Sequence, residues 1–339
     1  MPRLRDVAIR SDVSVSTASR ALTRPDMVAS ETVERVKRAA KELGYQPNLL
    51  ARSLRTRVTR LIGLLVSDIL NPFHATLAKG LQDAAFDHGY SLLLCNTDED
   101  PDKELTYLRL FRTHQLRGFV VVPTENSAGL LSAIGELPVV EADRTSGLPG
   151  FHAVLADNQE GTEAAISHLI AFGHRRVAII AGKLSITSGS ERLSAYLGAM
   201  ERAGLPVDPG WIVHGDHREQ GGYLAARALL SLPPERQPSA WFVINNEMTA
   251  GAVRAILEAG LQIPRDLSLI GFDDSRWAQL MHPPLTVIEQ SPYDMGYTAG
   301  KILFDLFERG PTPPGVLRLA TRLLERASVA APAPAQLGS

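Results

Sequence analysis

The sequence, 339 residues long, predicts a small all-α head followed by a larger α/β body of two lobes, with parallel sheets covered by helices on both faces. Three observations carry that expectation. Residues 1–60 hold 13 lysines and arginines against 6 acids, a net of +7, which leaves −9 for the remainder. The same basic segment carries apolar residues at helical spacing. From Leu61 onward the pattern changes to short apolar runs, most of them separated by amphipathic stretches. A compact basic segment on an acidic body is the pattern of a chain that meets a polyanion with one part only.

Composition narrows the class. The chain is 45% hydrophobic and 21% charged, with a formal net charge of −2, as expected of a globular protein. No apolar run approaches the roughly 20 residues that span a bilayer. The opening MPRLRDVAIR lacks the apolar stretch of a secretory signal, which favours the cytoplasm. One cysteine, Cys95, excludes an intramolecular disulfide and a cysteine zinc cluster; its setting in SLLLC reads as a small buried hydrophobe.

In the head, Leu4, Val7 and Ala8 space like one helical face, and Ala18, Ala21 and Leu22 like a second. Val33, Val36, Ala40 and Leu43 form a third, longer stripe that stops at Gly44. Between the first two lies Asp12-Val13-Ser14, long enough only for a tight turn. Two short helices, a tight turn and a third packing helix make a helix-turn-helix unit over residues 1–45, whose second helix offers its N-terminal residues to the DNA major groove.

The spelling LRDVAIRSDVSVSTASRAL, followed by ASETVERVKRAAKELGYQPNLLARSLRT, resembles the DNA-binding head of the lactose-repressor family of bacterial regulators. The resemblance implies that Val15 and Ser16 face base edges, Val15 against a thymine methyl, and that Arg20 reaches a guanine or a phosphate. Thr17 and Ser19 then hold phosphates and fix register. For Ser16, Thr17 and Ser19 a second reading, plain helix capping, stays open. The family's serine before the third helix is Ala29 here, and Ser30 replaces it as cap if that helix starts one residue later. Residues 46–60 are expected to be hinge and linker. Asn48 to Arg55 would form a short helix when two chains lie side by side on DNA, with Asn48 in contact with it and Leu54 wedged into the minor groove. An ordinary apolar linker stripe is the alternative for Leu54.

The apolar runs of the body are LIGLLVS (61–67), SLLLCN (91–96), GFVVVP (118–123), PVVEAD (138–143), VAIIAG (177–182), WFVIN (241–245) and LSLIGFDD (267–274). Near-continuous apolar strands alternating with helices imply parallel sheets. Seven are too many for one ordinary sheet, so residues 61–328 are expected to divide into lobes of about 62–157, plus a C-terminal return, and 158–285. This resembles the periplasmic sugar-binding fold. The Ala/Pro-rich tail, 329–339, reads as disordered and lacks leucine heptads, which makes a homodimer the expected state.

Ligands of open parallel sheets sit beyond the carboxyl ends of the strands, here between the lobes. DILNPF (68–73) resembles the family's D-x-x-N-P-F-F, with Phe73 suited to stacking and His74 in place of a second aromatic. SGSERLSA (188–195) resembles S-x-x-R-x-x-G, and Arg192 supplies a planar fork for vicinal hydroxyls or a carboxylate. Asn245 and Asp273 match the family's ligand-binding asparagine and aspartate, whereas Asn246 departs from an N-D pattern. Asp143 and Gln290 complete the candidate set. Structural readings remain beside these: an Arg192–Asp273 ion pair, Asn245 satisfying a buried turn, Phe73 as core. His174, after the helix GTEAAISHLIAF, reads as a helix C-terminal cap rather than a catalytic group.

No phosphate loop, paired metal ligands or nucleophile elbow is present, and no cofactor or enzymatic activity is expected. The expected function is a sequence-specific transcriptional regulator, a repressor. It binds pseudo-palindromic operator DNA and is controlled by a sugar-like effector in the cleft. The alternative is a solute receptor of the periplasmic type without DNA function.

Overall fold

A computed structural model describes residues 2–45, 59–125, 127–132, 135 and 137–333. The chain forms two compact units, Met1–Thr59 and Arg60–Ser339.

In the first unit, α1 (Leu4–Arg10), α2 (Val15–Thr23) and α3 (Ser30–Glu42) enclose a core of Val7, Ala8, Ala18, Ala21, Val33, Val36, Ala39 and Ala40. The small side chains let three short helices close on one another. The turn between α1 and α2 bends at Asp12, whose φ of 51° is one of the few left-handed conformations an Asp tolerates. Arg35 of α3 locks that turn by donating from Nε to the Ser11 carbonyl at 2.9 Å. Gly44, at φ 62°, ends α3 as its position in the sequence predicts. The condition for a Ser30 cap is not met: Ser30 is already the first residue of α3, and Ala29 stands at the cap position with no side-chain bond.

The second unit holds two sheets of the same winding. The first lobe runs β1 (Leu61–Val66), α4 (Pro72–Asp87), β2 (Ser91–Asn96), α5 (Pro101–Thr113), β3 (Phe119–Val121), α6 (Ser127–Ser132), β4 (Val139–Ala142) and β5 (His152–Ala156). The second continues with α7 (Asn158–Ala171), β6 (Val177–Ala181), α8 (Thr187–Arg202), β7 (Ile212–His214), α9 (Glu219–Leu230) and β8 (Ala240–Val243). It is completed by α10 (Asn246–Glu258), β9 (Ser268–Phe272), α11 (Arg276–Leu280) and β10 (Thr286–Glu289). The chain then returns to the first lobe as α12 (Pro292–Arg309) and β11 (Val316–Leu319), and ends on the second with β12 (Arg322–Leu324).

Strand orders are β11-β5-β4-β3-β1-β2 and β12-β10-β9-β8-β6-β7. Every pairing is parallel except β10 with β12. Each sheet therefore reverses its winding once, between β1 and β3 and between β6 and β8. There the carboxyl ends of neighbouring strands open a crevice. Ile62, Leu64 and Val66 pack with Met295, Ala299 and Leu303 of α12, so the return helix is part of the first lobe's core.

Two boundaries differ from expectation. The second lobe does not end at 285, because Thr286–Glu289 adds β10 to its sheet beside β9. The tail is not disordered from 329: Val329 is buried, and Ala330 exchanges hydrogen bonds of 3.1 Å with Ser268 Oγ through both its N–H and its carbonyl. The strand β9 needs partners on that side, and residues 328–330 supply them. The small residues Ser328, Val329 and Ala330 are the ones that fit there.

Candidate functional site

The helix that the sequence reading assigns to DNA recognition is α2. Its cap is Ser14, whose Oγ accepts from Thr17 N–H at 3.1 Å and also meets the hydroxyls of Ser16 and Thr17 at 2.8 Å. Capping thus falls to a residue ahead of the three candidates. Val15 is 46% exposed, Ser16 and Arg20 are exposed, and Thr17 and Ser19 are half-buried. Ala18 and Ala21 turn inward on the opposite face. Val15, Ser16 and Arg20 are therefore presented together on an outer surface of the head, although Val15 is a large apolar residue. Asn48 and Leu54 lie outside the described residues.

In the body, the residues after the strands converge between the lobes. A cavity, with about 510 Å³ of empty space when its opening to solvent is included, is lined by Ser67 and Asp68 after β1, Glu99 after β2, and Asp143 and Arg144 after β4. From the second lobe come Arg192 of α8, His217 after β7, Asn245 after β8, Asp273 after β9 and Gln290 after β10. All six effector candidates from the sequence, Phe73, Asp143, Arg192, Asn245, Asp273 and Gln290, border this one cavity.

Each is set by its local chain. Phe73 begins α4 behind Pro72, with Asn71 capping the helix through Phe73 N–H at 2.9 Å; the ring stands edge-on to His74, 5.2 Å between centroids. Asn245 caps α10, accepting from Met248 N–H at 3.0 Å and donating to the His217 carbonyl at 2.9 Å. It satisfies a turn and borders the cavity at once. Asp273 leaves β9 at φ 75°, which turns its backbone out of the strand, and Gln290 Nε2 donates to its Oδ1. The Gln290 Oε1 is buried without a hydrogen-bond partner.

The alternative reading of Arg192 and Asp273 as a structural ion pair does not hold, since no such pair is formed. Arg192 instead donates from Nε to Asn158 Oδ1 at 2.8 Å and from Nη1 to the Ile244 carbonyl, with its guanidinium 3.6 Å above the Phe272 ring. Neutral acceptors and a ring face hold the fork flat without neutralising it. Burial lowers the Arg192 pKa, with the nearby Asp273 charge opposing; burial raises that of Asp273, with Arg192 opposing. The two charges influence one another without touching.

Asn246, which departs from the family's spelling, forms a reciprocal amide pair with Asn71 across the lobes. Asn71 Nδ2 donates to Asn246 Oδ1 at 3.1 Å and Asn246 Nδ2 returns a bond at 2.9 Å. An aspartate at 246 has no amide N–H to return, so the departure completes the pair.

Several cavity residues escaped the sequence reading. Arg144 follows Asp143 and is 5% exposed. Glu99 and His217 follow strands too: Glu99 lies three residues beyond the end of β2, whose bounds the sequence reading already had, and His217 three beyond the three-residue β7, which it lacked. His217 sits over Gly182, where a Cβ would approach its Nε2 to 2.2 Å, so that glycine makes room for the ring.

His174 is buried in the second lobe, away from the cavity's lining. Its N–H closes the turn after α7 on the Leu169 carbonyl at 3.1 Å, while its Nδ1 bonds Ser239 Oγ at 2.8 Å. The backbone does the capping and the ring does not. Desolvation lowers the pKa of His74, and holds those of His174 and His217 at about 4. An unfolded chain binds these protons near pH 6.5, so stability is whole above that pH and falls as the pH drops toward 4. For His174 alone the loss at pH 5 is about 2 kcal/mol. His174→Gln should remove close to one proton from the slope of unfolding free energy against pH between 5 and 6.5, measured by urea titration; an unaltered slope contradicts the assignment.

A helix-turn-helix head with an exposed recognition face, joined to a two-lobed body with a polar cleft, defines a DNA-binding regulator of the ligand-responsive type. Comparison with known proteins places it further. The family model for bacterial regulatory proteins of the lacI family matches residues 3–48, and that for a periplasmic binding protein-like domain matches 166–329. The chain is 35% identical to the ribose operon repressor of Escherichia coli (strain K12), over 97% of this chain and 100% of that one. It is 34% identical to the HTH-type transcriptional repressor PurR of Haemophilus influenzae (strain PittEE), over 90% and 91%. A lac repressor dimer bound to operator and the anti-inducer ONPF superposes with a TM-score of 0.87 at 27% identity, over 97% and 99%. The chain belongs to the lacI family of bacterial regulatory proteins and is a DNA-binding transcriptional regulator.

Proposed function

We propose that the chain is a cytoplasmic, non-enzymatic repressor that binds a pseudo-palindromic operator as a homodimer and responds to a small sugar-like effector in the interlobe cleft. The observation that carries the effector reading is the cavity's alternation of fixed donors and acceptors. Arg192 offers N–H groups, Asp273 and Asp143 offer carboxylates, and Gln290 holds a buried acceptor without a partner. Vicinal hydroxyls, each donor and acceptor at once, match such a set. Repression is supported by the relatives' own names, and the homodimer by the dimeric, operator-bound lac repressor. No helix among the described residues is long and apolar enough to cross a membrane.

The mechanism is a population shift. A ligand that favours one lobe arrangement changes how the first lobes of a dimer face each other, and the hinge segments with them. Linkage makes the effect reciprocal: whatever weakens operator binding is itself bound more weakly by the DNA complex.

Operator selection from randomised duplexes, with and without sugars, tests the reading. Exchanging Val15 and Ser16 for another pair should shift the preferred operator by about 1–3 kcal/mol per altered base pair and leave the effector dose response unchanged. Selection of the same sequence by the exchanged variant removes these residues from base reading. Absence of any selected sequence with the unaltered chain overturns the repressor reading.

A further inference from the structure

We propose that Glu99 is a specificity-determining residue of the cleft: by occupying the guanidinium fork of Arg144 it closes the site to anionic effectors and reserves it for neutral hydroxylated ones. This depends on the reading of the cleft as the effector site. Glu99 meets both outer nitrogens of Arg144, Oε2 to Nη1 at 3.1 Å and Oε1 to Nη2 at 3.0 Å. Ser67 Oγ accepts from Nη2 at 3.2 Å and Asp143 Oδ2 lies 3.4 Å from Nε. Four N–H bonds of a five-donor group are thus directed within the protein. Burial by itself raises the Glu99 pKa; Arg144's charge and hydrogen bonds outweigh that and hold it at about 2.

An incoming carboxylate that sought Arg144 would have to break a bidentate pair whose side chains are 5% and 13% exposed, and leave Glu99 buried without a counter-charge. Nor does the rest of the cavity attract an anion. Asp68, Glu99, Asp143, Asp216 and Asp273 line it against Arg144, Arg192 and Arg218, an excess of acids among the described residues. Among the described arginines of the cavity, Arg192 and Arg218 face no carboxylate within ion-pair distance; Arg218 Nη2 is directed at the Asp98 carbonyl, whereas the deeper Arg192 fork has Asp273 and Asp143 among the charges acting on it. A sugar with hydroxyls on both sides of that fork can donate to the acids and accept from the arginine; a sugar acid brings its charge toward theirs.

Glu99 is held where it is. Asp98 and Glu99 both adopt left-handed φ values, 54° and 60°, which aim two consecutive acids in different directions. Asp98 pairs with Lys103 on its own lobe, and its carbonyl accepts from Arg218 Nη2 of the second lobe at 2.9 Å. Glu99 N–H donates to the Ser67 carbonyl at 3.2 Å. The segment is tied on three sides, so the carboxylate is part of the cavity wall.

The test is calorimetric titration of the full chain, and of Glu99→Ala and Glu99→Gln, at pH 7 and fixed salt. The probes are matched pairs of aldoses and their aldonates from ribose, xylose, glucose and galactose. The unaltered chain should bind the neutral member of at least one pair at least roughly tenfold tighter than its acid. Glu99→Ala should narrow that ratio by roughly tenfold or more, through tighter binding of the acid, and Glu99→Gln should fall between. If Glu99→Ala does not fold, the ratio is read from Glu99→Gln, which keeps shape and removes charge. Equal binding of acid and sugar by the unaltered chain, or an unchanged ratio in the variants, overturns the role of Glu99 and leaves the effector site standing. Binding of none of the eight probes by any of the three proteins overturns the sugar reading, and this inference with it.

Discussion

Gly80→Ala is expected to destabilise the body by about 3 kcal/mol or more, an effect at the upper end for overpacking because the obstacle is backbone. A Cβ at Gly80 of α4 would lie 2.0 Å from the Tyr293 carbonyl oxygen of α12, and one at Gly296 of α12 would lie 2.0 Å from the Leu77 oxygen of α4. The two helices touch main chain to main chain, and no rotamer change relieves the clash. The second lobe repeats the device: a Cβ at Gly251 of α10 would lie 2.0 Å from the Glu219 oxygen of α9, and at Gly222 of α9 it would lie 2.3 Å from the Met248 oxygen. Gly251→Ala should therefore cost a similar amount. Gly129 of α6 has nothing within 4 Å of its added Cβ, and Gly129→Ala should be neutral or stabilising by a few tenths of a kcal/mol up to about 1. Urea midpoints followed by circular dichroism separate these outcomes. Equal midpoints for Gly80→Ala and Gly129→Ala would show that the helices can part without cost.

Asp273→Asn is expected to weaken effector binding roughly 100-fold and leave operator affinity unchanged, since a buried charge-assisted hydrogen bond contributes about 1.5–3 kcal/mol. Asparagine suits the test because it tolerates the φ of 75° that the aspartate occupies, where alanine would add strain. Burial raises the Asp273 pKa against the opposing charge of Arg192, so the site already bears the cost of holding that carboxylate between Arg192 and Gln290. Parallel measurement of effector affinity by calorimetry and operator affinity at fixed salt decides the matter. An unchanged dose response removes Asp273 from the effector set, and a parallel loss of DNA binding would assign it to folding.

The head was legible almost residue by residue, because helix spacing, a tight turn and a stop glycine are local patterns read within a few positions. The sequence left open which residue caps α3, and the helix starts at Ser30 and leaves Ala29 without a side-chain cap. In the body, long buried strands such as LIGLLV and VAIIA announced themselves by continuous apolar runs. HAVLA, IVH and TVIE did not, since three to five residues of mixed character carry little periodic signal. Missing β10 moved the lobe boundary, and missing β7 hid His217.

The sequence by itself determined most of the order of strand and helix, the basic head on an acidic body, and the cleft residues Asp143, Asn245 and Asp273 that follow strands it shows; Phe73 and Arg192 came with the family's spelling, and Gln290 follows a strand it does not show. Tertiary structure alone decided which of them touch. Asn71 and Asn246 lie 175 positions apart and pair because two separate sheets direct their carboxyl ends at one crevice. Glu99 reaches Arg144 although β1 and β3 lie between their strands, β2 and β4, because both residues stand beyond carboxyl ends of the same parallel sheet. Arg192 lies on Phe272 and away from any carboxylate because α8 packs over the sheet that carries it. Spacing along a chain fixes local conformation, whereas the distance between charges far apart in sequence depends on how whole sheets close on one another, and that is where ligand preference is set.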